Sequence, residues 1–301
     1  MVKSTTYGFF ILLTSALAYA SYGIFSKIIG NAFAPFTQVW TRSIITLLCF
    51  ILFCFYKNFF VKIRKEDIKW FIVVGVVGSL ALAPTFYSLA NLNIGTALFI
   101  QYAATVITSY ILGSLILREK LTKISIIALA SAFVGLLLVY WGDIHFEAGK
   151  IVPVLAACVS GTLFSFWFVF SKKISSKYPT ALINVYGYIF AIAVNFMIAA
   201  GLKESFNSDF TSTAWFANVG YGFAGFAGSG LAIYGFKFIE AHKGSIILLS
   251  EIVFGVLFGL LLFHEILSIT TILGGILIGV SVVLPNIYEM LSKQNLAQSL
   301  A

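Results

Sequence analysis

The sequence predicts an all-α integral membrane protein of ten transmembrane helices arranged as two inverted five-helix repeats. Three observations carry that expectation. Of the 301 residues, 60% are hydrophobic and 10% charged, against roughly 25% charged in an ordinary soluble domain. Apolar runs close to the ~20 residues needed to cross the hydrocarbon core recur along the whole length. The second half also repeats the first at a nearly constant offset.

Taken in order, the apolar runs place spans at 7–29, 36–56, 68–90, 95–117, 122–141, 151–172, 180–201, 213–238, 244–263 and 268–288. Trp70, Trp141 and Trp215 fall at span ends, where amphipathic rings favour the headgroup region. The first run contains Ala18-Tyr19-Ala20, which has the look of a signal-peptidase site. Because that run recurs in the second half, it is read as helix one of the mature chain.

The net charge of +8 does not point to nucleic acid, because the basic residues sit in short segments between apolar runs. With ten spans, one side of the membrane holds 15 Lys and Arg residues, including Lys57, Lys62 and Arg64, and the other holds three, Lys27, Lys150 and Lys203. This positive-inside bias predicts a multi-pass plasma (inner) membrane protein with both termini in the cytoplasm. Cys49, Cys54 and Cys158 lie inside apolar runs without paired spacing, which suggests neither disulfides nor a zinc site. His145, His242 and His264 fall at loop edges without ligand spacing, so no metal and no cofactor is expected. The expected partners are a small-molecule solute and the bilayer, with the chain a monomer or homodimer.

The internal repeat is read directly. SALAYASYGIFSKII at 15–29 matches SGTLFSFWFVFSKKI at 160–174 without gaps, and Pro35 then matches Pro179. LILREKLT, ending at Thr122, matches LLFHEILS, ending at Ser268, which sets Glu119 against Glu265. The units are therefore 1–148 and 149–301. Five spans per unit is an odd number, so the second unit enters the membrane with opposite orientation, a recurring plan of secondary transporters.

The duplicated five-helix unit, the LREKLT and HEILS elements and the stretch GSIILLSEIVFGVLFGLLLFHEIL together resemble EamA-type members of the drug/metabolite transporter superfamily. The resemblance covers essentially the whole chain. It implies export or facilitated passage of amino acids, related metabolites or drugs, with both termini inside. The chain departs from that family in lacking a proline common in its fourth and ninth helices; Thr105 and Ile252 stand near those places.

Charges at mid-helix mark candidate functional groups, since each costs ~2.5–3.5 kcal/mol on insertion scales. Arg42 lies about 10 Å along its helix from Pro35, and Glu251 about 10 Å from Gly244. Arg42, beside Gln38 and Trp40, is suited to two-pronged binding of a substrate carboxylate, or to a structural pair near the surface. Its match in the second half is Tyr186. Glu251 is a candidate for proton exchange during a transport cycle, or for a static hydrogen bond. Glu119 and Glu265 end matched helices on opposite faces and read as structural.

Glycine and proline in the third and eighth spans suggest bent helices lining a site, or close packing, with Tyr87, Asn91, Ser229 and Tyr234 on the cavity. Gln101, Tyr102 and Trp167 are further candidates. Gly255 with Gly259, and Gly275 with Gly279, have the GxxxG spacing of close helix contacts. Nothing resembles a nucleotide-binding loop, nor the clustered acids or HExxH of a membrane-embedded enzyme, so no enzymatic activity is expected.

The charge bias makes a direct prediction. In intact cells, an impermeant thiol reagent should leave Lys62→Cys unmodified and mark Lys203→Cys; labelling at 62 from outside overturns the orientation.

Overall fold

A computed structural model describes residues 2–92, 94–144 and 149–299. The described residues form twelve α-helices and no strand. They are α1 (Val2–Ile29), α2 (Pro35–Lys57), α3 (Lys65–Leu80), α4 (Leu82–Asn91), α5 (Ile94–Leu117), α6 (Lys123–Val139), α7 (Ile151–Ser175), α8 (Thr180–Gly201), α9 (Thr213–Gly235), α10 (Ala241–Leu248), α11 (Ser250–Phe263) and α12 (Ile269–Ser299). His145 and the unit boundary at 148 lie outside the described residues.

Among the described residues seven stretches are long and apolar enough to cross a membrane: Thr5–Ile29, Pro35–Lys57, Lys65–Asn91, Ile94–Leu117, Ile151–Ser175, Thr180–Gly201 and Ala241–Phe263. Lys123–Val139 and Ile269–Pro285 are apolar but shorter, about 26 Å at 1.5 Å per residue. The remaining helix, α9, has 23 residues, but its glycines, Asn218 and Ser229 lower its mean hydropathy.

Local chemistry explains the helix ends and breaks. Pro35 opens α2, where its missing N–H is not needed. Asn58 ends it in the left-handed region at φ 54°, donating to the Cys54 and Phe55 carbonyls. Thr122 caps α6 by accepting the Ser125 N–H at 3.1 Å. Pro84 cannot donate to Leu80, and the third span breaks there into α3 and α4.

The ninth span breaks at Leu249 without proline. There the Leu249 N–H reaches Ile246 and the Ile252 N–H reaches Leu249, both at 3.0 Å, a single tightened turn. Ser250 Oγ donates to the Ile247 carbonyl at 2.6 Å. The corresponding α5 runs unbroken past Thr105.

Packing follows the repeat. α1 lies on α9, and its counterpart α7 lies on α3 and α4. α5 packs on α7, while α10 and α11 pack on α1. α2 pairs with α8 and α6 with α12, in each case a helix with its own counterpart. The matched turns agree in detail: Arg118 (φ 55°) and His264 (φ 53°) are left-handed, and the Glu119 and Glu265 N–H groups reach back to Gly113 and Gly259 at 3.0 and 3.1 Å.

One sequence expectation needs correction. A Cβ on Gly255, Gly275 or Gly279 would meet nothing within 4 Å, so the GxxxG spacing does not form a helix contact; Gly255 and Gly275 stand on open faces. The close crossing is instead between Gly135 and Gly274, where a Cβ on either would come within 3 Å of the other's carbonyl oxygen. His242 stands at a loop edge as expected, in the first turn of α10, and is wholly buried there.

Gly161 marks the tightest approach of α5 and α7, since a Cβ there would collide with the Gln101 carbonyl. Gly161→Leu should therefore cost about 1–3 kcal/mol by overpacking. In detergent thermal unfolding it should melt clearly below the parent, while Gly279→Leu should not; equal melting would show that the two helices yield freely.

Candidate functional site

Among the described residues, a cavity of about 450 Å³ opens between the halves. Every element except α6 and α12 contributes to its wall. Helical spacing selects the lining: Tyr19, Tyr22 and Ser26 from α1, Gln38, Arg42 and Thr46 from α2, Asn184 and Tyr188 from α8, and Tyr221, Gly225 and Ser229 from α9. These recur at three- and four-residue steps, the geometry of one helix face.

The Arg42 guanidinium lies 3.9 Å from the Tyr221 ring centre and 5.4 Å from that of Tyr22, within the range of a cation–π contact. From it a row of rings continues, Tyr221 to Tyr22 at 4.3 Å and Tyr22 to Tyr19 at 5.3 Å. Among the described residues no carboxylate lies within 4.0 Å of Arg42. The structural pair that the sequence left open for Arg42 is thus not formed with an acid here.

Glu251 enters the cavity from the first turn of α11 and accepts the Tyr102 hydroxyl at 3.0 Å. Gln101, one residue earlier on α5, is 9% exposed, and its buried Oε1 has no hydrogen-bond partner. Across the site Tyr188 Oη donates to Ser229 Oγ at 3.1 Å, and Ser229 Oγ in turn donates a hydrogen bond to the Gly225 carbonyl at 2.7 Å. The cavity thus presents a cation, a carboxyl group and several phenols on otherwise apolar walls, a donor and acceptor set suited to a small amphipathic solute. Among the described residues no three His, Cys, Asp or Glu side chains converge as metal ligands.

The cavity brings together Gln38, Arg42, Gln101, Tyr102, Trp167, Ser229 and Glu251. It does not include the other sequence candidates. Trp40 stacks on Phe206 at 5.8 Å. Tyr87 is 46% exposed, and Asn91 donates to the Tyr87 carbonyl on that same exposed turn. Tyr186 packs on Phe71, and Tyr234 on Tyr7 and Phe238. The lining phenol of α8 is Tyr188, two residues on, a rotation of about 200° around the helix. The offset of 144 set by Pro35 and Pro179 matches Arg42 to Tyr186, so the sequence match alone does not pick out the lining residue. Stepping by four and eight from Ser229 reaches Gly225 and Tyr221.

The bent-helix expectation holds for one of its two spans. α3 and α4 bend at Ala81, whereas α9 is continuous and uses its glycines for close approach. A Cβ on Gly228 would strike Tyr19, and one on Gly222 would strike Ile45, so these glycines let cavity-facing helices come together.

An all-helical chain with this many apolar spans belongs to the class of multi-pass membrane proteins, here with a cavity between its halves. A model of the EamA-like transporter family matches residues 6–141 and again 151–287. The chain belongs to that family, which is part of the drug/metabolite transporter superfamily. It is similar to proteins described as uncharacterized transporters from two strains of Helicobacter pylori, J99 and 26695. The two are 26% and 25% identical over 307 aligned positions, covering 97% of this chain and all of each relative. A solved crystal structure shares the fold, with a TM-score of 0.80 at 16% identity, over 94% of this chain and 97% of that one.

If Arg42 receives a carboxylate, Arg42→Lys keeps the charge but loses the planar fork and its ring stacking. The KM for a carboxylated solute should then rise on the order of tenfold, about 1.4 kcal/mol. A carboxyl-free analogue should be little affected; equal loss for both makes Arg42 structural.

Proposed function

We propose that the protein is a secondary carrier of small metabolites, most directly amino acids or related amphipathic solutes, working by alternating access. The observation that carries this reading is the single cavity holding Arg42 and Glu251 among phenols and apolar walls. Oppositely charged groups in one apolar enclosure suit a zwitterion, whose own charges would replace the hydration lost on entry.

On this reading the ten spans are the seven long stretches together with α6, α9 and α12, and they form two inverted five-helix units at 1–148 and 149–301. The double match of the family model supports the two units. The exchange of packing partners between halves supports their inversion. Both termini are assigned to the cytoplasmic side of the plasma (inner) membrane, with the chain acting as a monomer or homodimer. Solute movement would follow rocking of one unit against the other around the central site.

Glu251 is the candidate for coupling to protons. Reconstituted into vesicles, Glu251→Gln should retain counterflow of labelled amino acids but lose the pH dependence of net uptake. Unchanged net flux with an unchanged pH response would remove Glu251 from the mechanism and leave a facilitator without proton coupling.

A further inference from the structure

Among the described residues three lysine–carboxylate pairs join the halves, Lys177–Asp67, Lys172–Glu119 and Lys27–Glu265, and the last two, at opposite ends of the bundle, are counterparts of each other. Lys172 Nζ lies 2.8 Å from Glu119 Oε1, and Lys27 Nζ lies 2.7 Å from Glu265 Oε1. Lys27 and Lys172 close the matched Phe-Ser-Lys segments, and the two glutamates follow the matched left-handed residues Arg118 and His264. In both pairs the ammonium comes from one half and the carboxylate from the other.

Their surroundings differ. The Glu119 side chain is 6% exposed and accepts from the Ala241 N–H at 2.7 Å, the His242 N–H at 3.3 Å and His242 Nδ1 at 2.8 Å. Burial opposes its charge, but the His242 bond, Lys172 and the Ala241 N–H outweigh burial and hold the carboxyl below its usual range. Lys172 also donates to the Ile239 carbonyl. The other pair sits in the open, with side chains 50% and 53% exposed, and Lys27 lies over the Phe263 ring.

The two ends of the cavity differ in the same sense. Ser26, beside Lys27, is exposed and lines the cavity. Its counterpart Ser171, beside Lys172, is 1% exposed, with its hydroxyl buried and unpartnered. A cluster of Phe71, Val74, Ile174, Tyr178, Ile183 and Ile233 fills the interior near that end.

We infer that Lys172–Glu119 and Lys27–Glu265 are paired latches at opposite ends of the halves, both formed in this structure, the first seated in protein and holding its end shut, the second in solvent and holding its end weakly. This rests on the reading of the chain as an alternating-access carrier. An exposed pair contributes little, whereas removing one partner of a buried pair strands a charge. Loss of the seated latch therefore shifts the balance of states far more than loss of the other.

The test is thiol accessibility in purified protein whose native cysteines are replaced, with no solute present, so that its outcome is separate from any transport assay. In the parent, Ser26→Cys should react with an impermeant maleimide much faster than Ser171→Cys. Adding Glu119→Gln, or independently Lys172→Met, should speed labelling at 171 on the order of tenfold or more and slow it at 26. Glu265→Gln should leave 171 slow, and Lys172→Arg should behave as the parent. Equal rates at 26 and 171 in the parent overturn the inference even if neither latch variant folds. It is also overturned by unchanged rates in monodisperse Glu119→Gln and Lys172→Met, by faster labelling at both positions together, or by the same rise with Glu265→Gln.

Discussion

A charge in hydrocarbon must be enclosed by protein, and the organisation of this chain depends on enclosing two of them. Arg42 and Glu251 both sit deep in apolar helices, where exposure to lipid would cost several kcal/mol each. Both face the central cavity. The outward faces carry large apolar side chains such as Leu52, Phe55, Leu115 and Phe216. Charged groups inside and apolar groups outside is the inverse of a water-soluble fold, and it leaves a compartment within the helices where charged and phenolic groups sit on apolar walls.

Two devices bring ten elements close enough to make that compartment. Small residues at crossings let backbones approach, as at Gly161 against α5 and at Gly222 and Gly228 against α2 and α1. Hydroxyl groups then satisfy one another or backbone carbonyls: Thr85 with Ser160 at 2.6 Å, Ser109 with Ser165 at 2.9 Å, and Thr46 to the Gly222 carbonyl at 2.8 Å. In an apolar medium these bonds have little water to compete with them. The α6–α12 pair stands outside the cavity wall, joined at Gly135 and Gly274.

Much of this was legible in the sequence, because hydropathy and the internal match operate over long segments. Apolar runs located the helices, and the Phe-Ser-Lys and Glu119–Glu265 matches located the counterparts. Rotation about a helix axis was less legible. Tyr186 and Tyr188 are equally plausible by composition, and the local offset of 144 points to Tyr186 although Tyr188 is the one on the cavity. Tyr87, Asn91 and Tyr234 share the same difficulty, since polarity alone does not say which face a residue occupies. The break at Leu249 carries no proline to announce it. The GxxxG spacings were visible but uninformative, since glycine spacing does not identify which face meets a neighbour.

The central claim is that solute passes through the cavity between the halves. Gly187 on α8 lines that cavity, and a Cβ there meets nothing within 4 Å, so a large side chain can enter the space without displacing a neighbour at its root. The most direct measurement is counterflow of radiolabelled amino acids in vesicles containing Gly187→Trp, compared with the parent at matched protein content and matched thermal stability. The filled cavity should abolish exchange while the protein stays folded. Exchange at the parental rate through a folded Gly187→Trp protein would contradict it.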